Sequence, residues 1–149
     1  MNTLARQGQR LLQIGVGLLL FVSFEGFVIP YFAVPRLGLS AHTLSALQSV
    51  LLLALGLAWT RLNLGDVASR VAFWLLVYST FAILTAYVLG AFWGAGNETM
   101  PMTAGMVHGS PAQESVIKVV AYSSAPTGIV SFALILWGLR MPNVYGQTS

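Results

Sequence analysis

Few side chains in this sequence can do chemistry. The chain holds two histidines, four acidic residues and no cysteine. Without a thiol, disulfides, thiolate ligands and thiol nucleophiles are excluded. No glycine-rich phosphate loop, no paired metal carboxylates and no hydrolase elbow occurs. Glu25 and Glu114 carry what acid–base capacity there is. A lone imidazole cannot hold zinc, which takes four ligands. It can hold haem iron, because the porphyrin supplies four nitrogens and one axial side chain suffices. His42 suits that role better than a bare metal site. It heads a stripe in which His42, Ser45 and Ser49 follow i, i+3, i+7, with Gln48 beside them. Such a stripe faces other helices or a cavity, not lipid. Ser79, Ile83 and Tyr87 share a second face at i, i+4, i+8. Tyr122, Ser123 and Ser124 precede Pro126, whose missing N–H predicts a kink, with or without a pocket.

The elements that must position these groups follow from composition. Charged residues make up 7% of the 149 and hydrophobic ones 56%, whereas a soluble domain carries roughly 25% charged residues. The exterior must therefore be apolar, as lipid requires. The seven cations are scattered singly, with no cluster to follow a phosphate backbone, so nucleic acid is not an expected partner. Crossing about 30 Å of hydrocarbon takes roughly 20 apolar residues in a helix. Four stretches qualify, at about Leu11–Val34, His42–Trp59, Val71–Trp93 and Gln113–Leu139. They lack the alternation of barrel strands. The expected fold is an all-α integral membrane protein, one four-transmembrane-helix domain over 1–149, its first span a retained helix and not a signal peptide. Ala86, Gly90 and Gly94 form a small-residue seam. The connection from Gly94 to Ala112, containing His108, reads as a lid or binding loop.

Arg6, Arg10, Arg61, Arg70 and Arg140 fall on one side of these spans, Arg36 and Lys118 toward the other. The positive-inside rule then puts both termini in the cytoplasm, in a bacterial inner membrane. Counting helical rise places Glu25, His42, Tyr87, Glu114 and Lys118 in the same outer third of the bilayer, as a shared site would require. Each has a plainer reading. Glu114 and Lys118 are spaced for an i, i+4 ion pair. Glu25 has Lys118 or Arg36 as a structural partner. His42 reads equally as an interfacial residue at a helix start, His108 as solvated, and Tyr87 as part of an aromatic belt.

The run Arg6-Gln7-Gly8 through Arg10-Leu11-Leu12, then Pro35-Arg36-Leu37-Gly38-Leu39-Ser40-Ala41-His42, resembles the hydroxylaminobenzene mutase family. Trp93-Gly94-Ala95-Gly96, Met100-Pro101-Met102, His108-Gly109, Gln113-Glu114 and Trp137-Gly138-Leu139-Arg140 extend the likeness over nearly the whole chain. More distantly the chain is similar to styrene oxide isomerase, a four-helix membrane enzyme whose trimer holds haem b at subunit interfaces. Laid on that family's pattern, the axial histidine matches His42 and the tyrosine Tyr87. An asparagine becomes Gln48, an aspartate Ser79 and a second asparagine Ile83.

The resemblance implies a homotrimer with His42 as axial ligand to haem b. It also implies a small aromatic substrate, an arylhydroxylamine rearranged to an aminophenol without net redox change. Tyr87, Gln48 and Ser79 would be the catalytic neighbours, and Phe81, Trp74, Tyr122 and Tyr78 candidate walls of an arene pocket. Two rival readings remain open: an aryl epoxide isomerase using the same Lewis acid, and a small multidrug-type proton-coupled exporter using Glu25. A non-catalytic haem-binding or structural protein is a further one.

Overall fold

The computed structural model describes residues 3–140. Five α-helices follow in chain order: α1 (Thr3–Val28), α2 (Pro35–Ala58), α3 (Asp66–Trp93), the single turn α4 (Pro101–Ala104) and α5 (Pro111–Gly138). Short 3-10 turns, Ile29–Tyr31 and Trp59–Arg61, extend α1 and α2. Four of these segments are long and apolar enough to cross a membrane, at 27 to 29 residues each. At 1.5 Å per residue they reach about 40 Å, more than the hydrocarbon alone needs.

The helix boundaries differ from the hydropathy reading for local chemical reasons. Helix α2 begins at Pro35 and not at His42, because proline is pre-organised for the first helical position. His42 consequently lies about two turns inside α2. Helix α1 starts earlier, at Thr3, since its polar first turns are good helix formers that hydropathy overlooks. Helix α5 opens on a capping box: Ser110 Oγ accepts from Gln113 N at 3.3 Å, and Gln113 Oε1 accepts from Ser110 N at 2.8 Å. Helix α3 stops at Gly94, whose φ of 66° is left-handed backbone that glycine adopts without a Cβ clash.

The helices pack as two pairs, α1 on α2 and α3 on α5, joined along the α2–α3 seam. Helices α1 and α3 touch only lightly, and α5 does not pack along α1. The bundle is therefore open, with a cleft between α1 and α3. Backbones come close within the first pair: a methyl added at Gly8 would sit 2.8 Å from the Gly56 carbonyl oxygen. The predicted small-residue seam divides its work. Ala86 is buried, Gly90 makes room for Leu37 of α2, and Gly94 is the left-handed cap.

Each end of the pairs has its own clasp. At one end Trp59, fully buried, donates its indole N–H to Gln7 Oε1 at 3.0 Å, and Asn63 N donates to the Gly138 carbonyl at 2.6 Å. At the other, Val34 N donates to the Ala91 carbonyl at 3.1 Å. Pro126 lies inside α5, which continues through it. Hydroxyls serve the carbonyls around it: Thr127 Oγ1 reaches those of Ser123 and Ser124 at 2.9 Å, and Ser79 Oγ from α3 reaches that of Ser124 at 2.8 Å. Neighbouring hydroxyls are how a proline is accommodated in a span.

Candidate functional site

Helix α1 buries one carboxylate, Glu25, which is 5% exposed. It faces α2, where His42 Nδ1 lies 3.8 Å from Glu25 Oε2. Gly26 makes the approach possible: a methyl there would already stand 3.4 Å from His42 Cε1. Ser45, one turn beyond His42, is fully buried next to the same carboxylate. Both Glu25 oxygens, His42 Nδ1 and Ser45 Oγ are buried without a hydrogen-bond partner. Buried polar groups are ordinarily satisfied, so four orphaned atoms in one spot need an explanation. Burying an unpaired carboxylate costs several kcal/mol, and the imidazole is the group placed to offset it. With Nδ1 turned to Glu25, the second ring nitrogen, Nε2, is left for a ligand. Partial exposure of the imidazole, 31% of its side chain, keeps that nitrogen reachable.

The other buried glutamate is used quite differently. Glu114, 3% exposed, accepts from three backbone N–H groups of the long loop: Gly96 at 2.8 Å, Gly109 at 3.1 Å and Glu98 at 3.4 Å. The i, i+4 pair with Lys118 does not form. Lys118 Nζ instead lies 3.8 Å from Glu98 on the surface. Fixed backbone donors hold a carboxylate at no side-chain entropy cost, which a flexible lysine cannot match. Nor does Glu25 pair with Lys118 or Arg36; its neighbour is His42. His108 is exposed in the loop. Among the described residues no group of three or more His, Cys, Asp or Glu side chains could hold a metal ion.

The remaining expected residues are not gathered around His42. Tyr87 is half-buried and lines a groove of about 370 Å³ with Ser40, Thr43 and Leu47 of α2. At 100° per residue that flank of α2 lies roughly 130° around the helix from His42. Gln48 Oε1 accepts from Thr80 of α3 at 3.4 Å, which turns it away from His42 as well. Ser79 Oγ donates to the Ser124 carbonyl at 2.8 Å in the α3–α5 seam.

Residues 7–140, almost the whole described chain, match the styrene oxide isomerase family. The chain belongs to that family. It is 45% identical over 139 residues to the hydroxylaminobenzene mutase HabB of Ectopseudomonas oleovorans, covering 93% of this chain and 85% of that protein. To the hydroxylaminobenzene mutase HabA of the same organism it is 33% identical over 125 residues, 83% of this chain and 93% of that one. No solved structure matches. As a styrene oxide isomerase family member with mutase relatives, the chain is an isomerase. That membership decides against the exporter reading of Glu25 and against a purely structural protein.

For a member of the styrene oxide isomerase family, the aromatic residues singled out in the sequence have a telling location. Trp74, Tyr78 and Phe81 do share one groove, with Val120 of α5, but all three are at least 44% exposed on the outer surface. Tyr122, 58% exposed, is not in its wall. One chain does not enclose an arene with these side chains. The sequence reading also misses Thr80, the partner of Gln48, and Glu25 as the partner of His42. Equal depth in the bilayer was the one available signal for the second, and it does not say which helix faces which.

Proposed function

We propose that this isomerase rearranges an arylhydroxylamine to an aminophenol by intramolecular hydroxyl transfer, in a membrane-embedded site where His42 is the axial ligand of haem b. The observation that carries the reaction is the 45% identity to a hydroxylaminobenzene mutase across 93% of the chain. The cofactor rests on the chain's own donor set. A single imidazole has one nitrogen turned to a buried carboxylate and the other free, and among the described residues no cluster of three metal-ligating side chains includes it. Ligating histidines characteristically present their second nitrogen to a carboxylate or carbonyl. The residues present fit the group.

When bound, haem iron would supply Lewis acidity toward the N–O oxygen of the substrate. Glu25, whose Oε2 lies 3.8 Å from Nδ1, would orient the imidazole ring and leave Nε2 available for the iron. Tyr87, from its groove, would orient the migrating hydroxyl and shuttle its proton. The Gln48 amide, steadied by Thr80, would be a second hydrogen-bonding group for that hydroxyl. Apolar walls would limit capture of the electron-poor ring by water.

Within one chain His42 and Tyr87 occupy different flanks of α2, and the aromatic candidates face outward. A second copy bringing its own face against this one would complete the site, which supports a homo-oligomer, here proposed as a trimer. The apolar exterior supports a multi-pass protein of a bacterial inner membrane with both termini cytoplasmic, the arginine-rich end inside.

An absorption spectrum of the purified protein is the first test. A Soret band lost in His42→Ala is the expected result. Full haem retained by that variant would overturn the ligand assignment, and a colourless preparation that still turns over would overturn the cofactor. The family match favours a second reading, isomerisation of an aryl epoxide to an aldehyde. Parallel assays with an arylhydroxylamine and an aryl epoxide separate the two: preference for the epoxide would replace the first reaction with the second.

A further inference from the structure

Three arginines that are far apart or unclustered in the sequence converge at the inner end of the α1–α3 cleft. Arg6 and Arg10 of α1 and Arg70 of α3 line one pocket of about 210 Å³, floored by Gln7, Phe73 and Trp74. Among the described residues none of the three has a carboxylate within ion-pair distance. The three guanidinium groups are exposed, so water and salt screen their repulsion, and the positive charge around the hollow is left open to an anion. Gln7 cannot serve as that counter-charge; its oxygen is already taken by Trp59.

The same cleft continues outward as an apolar groove of about 470 Å³. Its walls are Ile14, Gly17 and Phe21 of α1 and Phe81, Leu84 and Val88 of α3. Both hollows are lined by α1 and α3, and the groove follows the basic pocket along the two helices. On α1 the positions 3, 6, 7, 10, 14, 17, 18 and 21 form a continuous stripe at helical spacing. From Arg10 to Phe21 the channel runs about 16 Å, close to the depth of one leaflet. Gly17 widens it: a methyl added there meets nothing within 4 Å.

A cationic pocket at the interface, opening into an apolar channel one leaflet long, has the shape and charge of a single phospholipid. We propose that the α1–α3 cleft is a binding site for an anionic phospholipid of the inner leaflet. The three arginines hold its phosphate, and one acyl chain lies along Gly17 between the two helices. Arginine's planar fork suits phosphate oxygens, and the inner leaflet carries the negative lipids. The lightly packed α1–α3 contact would then be completed by lipid. This rests on the membrane reading and its orientation, and is independent of the haem and of the reaction.

The test uses full-length protein in mixed micelles, with thermal stability and retained lipid as readouts, lipid being detected by native mass spectrometry. Phosphatidylglycerol should raise the melting temperature and remain bound, while phosphatidylcholine should do neither. Inorganic phosphate and glycerol phosphate, which lack the acyl chain, should have little effect. Each of Arg6→Gln, Arg10→Gln and Arg70→Gln should weaken phosphatidylglycerol binding about tenfold, as loss of one charged hydrogen bond implies. Gly17→Leu fills open space in the groove, so it should fold normally and exclude the acyl chain; it serves if an arginine variant fails to fold. Equal binding of the two phospholipids would overturn the proposal, as would a full shift with inorganic phosphate alone. Unchanged lipid retention in Gly17→Leu would do so too, as would a Gly17→Leu protein that loses its oligomeric state, which would make the cleft a contact between copies.

Discussion

Two glutamates are buried in this protein to almost the same extent, and their surroundings are opposites. Glu114 accepts three backbone hydrogen bonds and ties the long loop to the start of α5. Among the described residues neither Glu25 oxygen has a hydrogen-bond partner within normal distance, and the carboxylate stands 3.8 Å from an imidazole with the Ser45 hydroxyl beside it. The loop anchor is satisfied and closed. The Glu25–His42–Ser45 cluster between α1 and α2 is unsatisfied, and its histidine keeps one ring nitrogen turned away from the carboxylate. Burial alone does not separate a structural carboxylate from a functional one; the partners do.

The largest effect expected from this contrast is on the anchor. Glu114→Ala strips three loop N–H groups of their acceptor and should destabilise the protein by about 3 kcal/mol, measured as thermal or denaturant unfolding in detergent. A change below the noise would mean that the loop holds itself. Glu25→Gln should behave in the opposite way. Replacing a buried carboxylate that accepts no hydrogen bond should leave stability unchanged or raised, while turnover, and with it the retention of the haem proposed on His42, falls about 10- to 100-fold, as for other residues that orient a ligand. A stability loss as large as that of Glu114→Ala, with activity per folded molecule intact, would erase the distinction. Ser79→Ala tests the bond that hydroxyl makes in the α3–α5 seam. It should cost about 1 kcal/mol of stability and leave turnover per folded molecule close to that of the parent; a severe kinetic defect in well-folded protein would return Ser79 to the catalytic set. Smallest of all, Lys118→Ala should shift stability by less than about 1 kcal/mol, because its pair with Glu98 is solvent-exposed. A loss comparable to that of Glu114→Ala would show that Lys118 does support Glu114.

Much of the site's raw material was legible. The polar stripe of α2 pointed inward as its spacing implied, with Ser45 and Ser49 fully buried. Helical rise places Glu25 and His42 at one depth, and they meet. What spacing could not supply was the pairing. Ser79, Ile83 and Tyr87 share a face of α3, yet Ser79 bonds to α5 while Tyr87 lines a groove against α2. A helical face wide enough for three residues borders two neighbours, and the sequence does not say where one ends. The Glu114–Lys118 spacing was likewise correct for a pair that a better competitor pre-empts.

The arginines make the same point from the other direction. Scattered in the chain, they argued against any concentrated positive site, and Arg70 nonetheless joins Arg6 and Arg10 across a gap of sixty residues.

By itself the sequence determined the four apolar helices, the long connection between Gly94 and Ala112, and the small stock of groups capable of chemistry. These are consequences of local backbone preference and of transfer between water and an apolar medium, which each segment carries alone. Only the tertiary structure decided that Glu25 meets His42, that Glu114 holds a loop, and that α1 and α3 stand apart over a cleft. Those outcomes depend on competition among partners within reach. Reach is set by how the helices are rotated and crossed, and no single segment encodes that.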